Sequence, residues 1–209
     1  MINLKTLKNT TNKVKQNKKK KEELLFSAAY DLFTTKGSNN TAIDDIVKKA
    51  GVAKGTFYLY FKDKYDIIDR LILKKSSIVI NEAVTEMKMH GLDNFRDKTI
   101  YFIDYVIKYF QNNKLMLKII NKNLSWGLYR RALVKPEEHK EIDDMVNYFI
   151  NTLKEYDISY EEAEVTLFMI FELVGSICYS SIILEEPMPM DKMKPILFEK
   201  VLCLIDFKK

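Results

Sequence analysis

This chain has little of what interrupts helices. It holds six glycines and four prolines in 209 residues, and no proline precedes Pro136. Long helices are therefore permitted as far as Pro136, and no convincing period-two alternation marks a strand. The two cysteines, Cys178 and Cys203, lie in apolar runs without a CxxC spacing. That pattern argues against a disulfide framework and for free thiols in a reducing compartment. Only two histidines occur, His90 and His139. They are far apart, fit no metal-ligand spacing and stand beside no nucleophile motif, so no metal, no cofactor and no catalysis are expected. Acids are missing from the first 21 residues, which hold eight lysines and no apolar core. No secretory signal is expected there, and the chain is expected in the cytoplasm.

What is abundant is apolar and basic. With 47% hydrophobic residues the chain can bury a substantial core, and its class is read as all-α. Charge is divided unevenly. Residues 1–64 hold fourteen lysines and six acids, a net of +8, whereas residues 65–209 hold twenty basic and twenty-three acidic side chains, a net of −3. A positive end on a mildly acidic body is the electrostatic footprint of a DNA-binding protein. The lysine-rich stretch 1–18 is read as a flexible basic arm.

The most specific segment is Thr41–Lys64, TAIDDIVKKAGVAKGTFYLYFKDK. Thr41 can cap a helix through its hydroxyl, with Asp44 closing a capping box. Ile43, Ile46, Val47 and Ala50 make one buried stripe, and Gly51 falls where a helix stops in a left-handed conformation. A second helix from Lys54 to about Phe61 turns Phe57 and Phe61 inward. Lys54, Gly55, Thr56, Tyr58 and Leu59 are left outward, an arrangement suited to a major groove. A glycine inside a helix costs about 1 kcal/mol, so Gly55 points to close approach of a phosphate or base edge.

Thr41, Ile46, Ala50-Gly51-Val52, Lys54-Gly55-Thr56, Tyr58, Tyr60-Phe61, Lys64 and Ile67 together resemble the signature of the TetR family of bacterial transcriptional regulators. The likeness covers about residues 18–73. One departure is Ser38, which follows Gly37 where the family commonly carries an aromatic residue. The resemblance implies a three-helix DNA-binding head over 19–65 and a helical ligand-binding and dimerisation domain over 66–209. It also implies a homodimer on a double-stranded DNA operator, acting as a repressor released by a small-molecule inducer. By residue type and family pattern, Thr56 and Leu59 are candidates for base edges. Tyr58, Tyr60, Lys64 and Thr41 are candidates for phosphates, and Lys54 and Gly55 for either.

In the body, helices are expected near 65–88, 94–112, 115–133 with a break at Gly127, 137–156, 160–184 and 190–207. The run Val165–Leu184 approaches the length of a membrane span and carries one charge, Glu172. Its three serines and central acid favour a buried interface helix, so no membrane is expected. Its apolar stripe holds Phe171, Gly175, Cys178 and Ile182; with Leu197 and Val201 on the last helix these are the expected dimer interface, since the family pairs its last two helices with their copies. Tyr105, Trp126, Tyr148, Phe168 and Glu172 are the candidates for a mainly apolar or aromatic ligand. A helical dimer that interacts with partners without reading DNA is the alternative, separated by whether Lys54–Lys64 presents a basic outward surface.

Overall fold

The computed structural model describes the backbone over residues 4–123 and 125–206, and side chains over 16–121 and 125–206. It is helical, with no strand among the described residues, and divides into two compact units, residues 1–71 and 72–209.

In the first unit, α1 runs from Leu4 to Lys36. Its backbone extends through most of the stretch expected to be a flexible arm. Leu25, Ala28, Ala29, Leu32 and Phe33 form its buried face, whereas Leu24 is exposed. Gly37 stops it at φ 82°, a left-handed conformation that suits a residue without a Cβ. Helix α2 spans Ile43–Ala50 and also ends on a left-handed glycine, Gly51 at φ 68°. The Val52 amide donates to the Val47 carbonyl (3.0 Å), closing the helix as the sequence predicted.

The start of α2 differs from expectation. Ala42 takes the cap position, and the Asp45 carboxylate accepts its amide hydrogen at 3.1 Å. Thr41 is only 1% exposed, and its hydroxyl donates to the Gly37 carbonyl at 2.9 Å. It therefore ties the α1–α2 corner together instead of capping α2. Helix α3 covers only Lys54–Tyr58, shorter than expected, although the Phe61 amide still reaches the Phe57 carbonyl at 2.9 Å. Phe57 and Phe61 are buried as predicted, with Phe26 edge-on to Phe61 at 5.1 Å between centroids. Helix α4 runs from Lys64 to Met89; Asp63 accepts from the Tyr65 and Asp66 amides at 2.8 and 2.9 Å and so caps it.

The second unit holds the later turns of α4, then α5 (Phe95–Asn112), α6 (Lys114–Asn123), α7 (Trp126–Leu133), α8 (Lys140–Lys154), α9 (Tyr160–Tyr179), a π-helical turn over Ser180–Leu184, and α10 (Met190–Leu204). Asn94, Ser125 and Ser159 cap α5, α7 and α9 by accepting backbone amide hydrogens. The break expected at Gly127 falls at Ser125, because that serine caps the next helix and Gly127 sits in its first turn. Helix α9 lies at the centre, against α5, α6, α7, α8 and α10. With its π-helical turn it has the length and apolarity of a membrane span, at a mean hydropathy of 2.0 over its most apolar window. Here its inner side, Thr166, Leu167, Ile170, Val174 and Cys178, forms the protein core.

That centrality corrects the expected dimer interface. Cys178, Ile182, Leu197 and Val201 are all buried inside the subunit, and none is available to a partner. The exposed side of α9 carries Val165, Phe168, Met169, Glu172 and Ser176, and that of α10 carries Ile196 and Cys203. The physical reason is that a helix surrounded by five others buries the stripe nearest them, and in a helix apolar on every side the sequence does not mark which stripe that is.

Candidate nucleic-acid interface and ligand cavity

The turn from α2 to α3 brings the head's polar and aromatic side chains onto one exposed ridge. Tyr58 and Leu59 are 53% and 75% exposed, while Phe57 between them and the cap is fully enclosed. Burying Phe57 thus forces its neighbours outward, since residues one apart on a helix do not share a face. Gly55 is exposed, and a Cβ placed there would meet nothing within 4 Å. No internal packing demands a glycine at this position.

Electrostatics refine which cations are available. Lys54 Nζ lies 2.7 Å from Asp44 Oδ1, an ion pair between α3 and α2. The hydrogen bond and charge of Asp44 push the Lys54 ammonium up from its ordinary value. Lys64 Nζ donates to the Ser38 carbonyl at 2.8 Å, which gives Ser38 a role where an aromatic residue was expected. Lys18 lies over the Tyr60 ring, 6.0 Å from its centroid, and so stands beside the predicted site without having been singled out. Of the eight expected DNA contacts, Thr41 is buried. Lys54, Gly55, Thr56, Tyr58, Leu59 and Tyr60 lie on or beside the exposed ridge, and Lys64 is half-buried and bonded within the head.

The body holds a cavity of about 780 Å³, partly open to solvent, between α4, α5, α6, α7, α8 and α9. Its lining is largely apolar, with Val79, Ile80, Phe102, Val106, Ile170 and Val174 among the wall residues. At one end the Tyr129 hydroxyl donates to Ser76 Oγ at 2.8 Å. Burial pushes the Tyr129 phenol up, although the Ser76 bond opposes this. Phe171 meets Tyr129 and Trp126 edge-on at 4.8 and 5.6 Å. At another end Phe95 packs on Tyr148 and Phe149, and Lys98 Nζ lies 5.7 Å from the Tyr148 ring centroid.

Trp126, Tyr148 and Glu172, three of the five expected ligand residues, line this cavity. Tyr105 does not: its hydroxyl donates to the Glu82 carboxylate at 3.1 Å, away from the cavity wall. Phe168 is exposed and packs on Trp126 from outside. Phe171 and Gly175, assigned to the dimer interface by sequence, instead line the cavity. The pair Ser76 and Tyr129, 53 positions apart, left no trace in the sequence pattern.

Comparison with known proteins agrees with this division. Residues 25–71 match the family model described as bacterial regulatory proteins, tetR family. The chain is 36% identical over 77 residues to the HTH-type transcriptional regulator YvdT of Bacillus subtilis, covering 36% of this chain and 38% of that protein. The match thus spans well under half of that relative's length. Among solved structures, a TetR-family transcriptional regulator from Syntrophomonas wolfei aligns over 92% of this chain and 98% of its own, with 21% identity and a TM-score of 0.63. The transcriptional regulator FadR of Bacillus subtilis aligns over 90% and 100%, with 18% identity and a TM-score of 0.61. Both structures share the fold from head to last helix.

Proposed function

We propose, for a chain whose amino-terminal domain is of the TetR family of bacterial regulators, that it is a sequence-specific DNA-binding transcriptional repressor. A small, mainly apolar or aromatic molecule releases it from its operator. The observation that carries this reading is the exposed ridge at Thr56–Leu59: two large apolar or aromatic side chains held outward by a sealed Phe57, beside a glycine no neighbour requires. Such a surface is costly to leave in water and suits the edges and backbone of a major groove. Two heads are needed to read a site of useful specificity, so the working form is a homodimer in the cytoplasm. The exposed side of α9, with Val165, Phe168 and Met169, is the face assigned to the partner subunit.

The cavity supplies the switch. Its walls are apolar and its size falls within the ~300–1,000 Å³ of small-molecule sites. A structure of FadR from Bacillus subtilis holds stearoyl-CoA, which supports an apolar ligand within this fold. Helix α4 begins in the head and contributes Lys75–Lys88 to the cavity wall, so one helix belongs to both. A ligand that binds better to the form with weaker DNA affinity lowers that affinity by the same factor.

The test is titration of fluorescent duplex DNA flanking the protein's own gene, with random duplex as competitor. Tyr58→Ala should weaken binding to the specific duplex by ~10-fold or more while the fold, followed by circular dichroism, is retained. Unaltered affinity in the variant, or wild-type binding no tighter than to random duplex, would refute the reading and favour a helical interaction protein.

A further inference from the structure

Resting on the reading of the head as a DNA reader, we infer that Asp44 and Lys54 act as one unit that reads a single G·C base pair in the major groove of each half-site. Asp44 lies in the first turn of α2 and Lys54 opens α3; both side chains are exposed, and Lys54 Nζ stands 2.7 Å from Asp44 Oδ1. Gly55, exposed beside Lys54, adds no side chain that would hold a base edge away. Neither charge is spent on the fold. The amide at the start of α2 is taken by the Asp45 carboxylate, not by Asp44. An ion pair whose lysine and aspartate are 55% and 68% exposed contributes little to stability. On a surface that meets DNA a carboxylate is repelled by phosphates, so Asp44 is of use there only toward a hydrogen-bond donor, and in the major groove the donors are on base edges.

The chemistry of the pair matches one base pair. Guanine presents N7 and O6 as adjacent acceptors, and cytosine follows with its N4 amino donor. O6 and N4 are hydrogen-bonded to each other across the base pair, ~2.9 Å apart, close to the 2.7 Å between Nζ and Oδ1. An ammonium has three donors, so Lys54 can keep Asp44 and still reach N7 and O6. A carboxylate accepts at both oxygens, which leaves Asp44 Oδ2 for the cytosine amino group. The hydrogen bond and charge of Asp44 push the Lys54 ammonium up, so it stays a donor. An A·T pair fits worse, because its donor lies between two acceptors: a carboxylate at N6 meets adenine N7, and an ammonium at O4 meets the thymine methyl.

The test is selection from a random-sequence duplex library by the full-length wild type, Asp44→Ala and Lys54→Ala, read by sequencing, with the fold of each variant followed by circular dichroism. The wild type should select a two-fold symmetric motif in which one column of each half-site is G·C with ~10-fold preference or more, and both variants should lose the preference in that same column alone. In the duplex selected by the wild type, 7-deazaguanine at that column removes N7 and should weaken binding ~10-fold, whereas inosine keeps N7 and O6 and should bind as guanine does. A wild-type motif with no G·C column sensitive to 7-deazaguanine overturns the inference without any variant. Loss in two different columns would assign Asp44 and Lys54 to separate contacts, and a loss spread evenly over all columns, or none, would make the pair a brace between α2 and α3. Each of these overturns the inference and leaves the DNA reader standing. A wild type that selects no motif overturns both.

Discussion

Phe57 and Phe61 in the head and Trp126 and Phe171 in the body are aromatic residues on short helical spacings, yet the fold uses them oppositely. In the head both are buried, Phe61 with Phe26 of α1 edge-on to it and the Arg70 guanidinium of α4 over its ring. In the body Trp126 and Phe171 are half-buried and border a void of about 780 Å³. A close-packed interior loses contact energy wherever a gap remains, whereas a cavity partly open to solvent admits water, and its apolar walls favour an apolar occupant in its place. The contrast teaches where each unit keeps its working surface. On the proposed reading, the solid head works from outside and the hollow body from inside.

The largest effect should come from emptying the solid unit. Phe57→Ala removes the fully enclosed ring of the head and should cost ~3–5 kcal/mol of its stability. DNA binding should disappear, while ligand uptake and the helicity of residues 72–209 persist, as followed by circular dichroism and Trp126 fluorescence. If body and head unfold together, the contrast between two separately packed units breaks.

Filling the hollow unit should have the reverse signature. At Gly175→Leu the new Cβ meets nothing within 4 Å, and a helical glycine gives way to a better helix former. Stability to urea should hold or rise by about 1 kcal/mol, and affinity for an apolar probe such as decanol should fall ~10-fold. A clear loss of stability would show that the wall is packed and that the void does not exist as described.

The smallest effect concerns the frame that keeps the hollow open. Asp104 on α5 accepts from Lys194 on α10 and pairs with Lys108. Burial alone would raise its carboxyl, but the bonds from Lys108 and Lys194 outweigh it and hold the group below its ordinary value. A carboxylate held low in the fold stabilises it above the unfolded value near ~4, and the contribution is lost as pH falls through the folded value. Asp104→Asn should therefore cost about 0.5 kcal/mol at neutral pH and nothing at the acid limit. A deficit that is independent of pH would assign the loss to packing.

Legibility in the sequence followed the same division. The head's turn was readable because its signals are local: Gly51 stops α2 at φ 68°, and Phe57 and Phe61 turn inward, both from spacing alone. Thr41 misled because a threonine before a helix has two local uses, and the Gly37 carbonyl of the preceding corner took its hydroxyl. In the body the helices and most of their ends were legible, but the void was not. A cavity depends on how far apart α4, α5, α8 and α9 stand, and side-chain periodicity carries no such distance. Helix α9 shows the limit plainly: apolar on all sides, it offered several stripes, and Phe171 and Gly175 proved to face the cavity and Cys178 the core. Burial also pushes the Cys178 thiol up to about 12, which leaves it inert at neutral pH.

The ion pair between Lys54 and Asp44 bears on how fast such a protein finds its site. Each phosphate neutralised by a free lysine releases counterions, and that release holds a protein to DNA of any sequence. Lys54 is already neutralised by Asp44, and Lys64 is engaged by the Ser38 carbonyl. On the proposed reading, Lys54 adds little to random contacts, and Lys64 keeps its charge but is held in place. The head then grips the wrong sequence less tightly than its lysine content suggests, and spends less time on each before moving on.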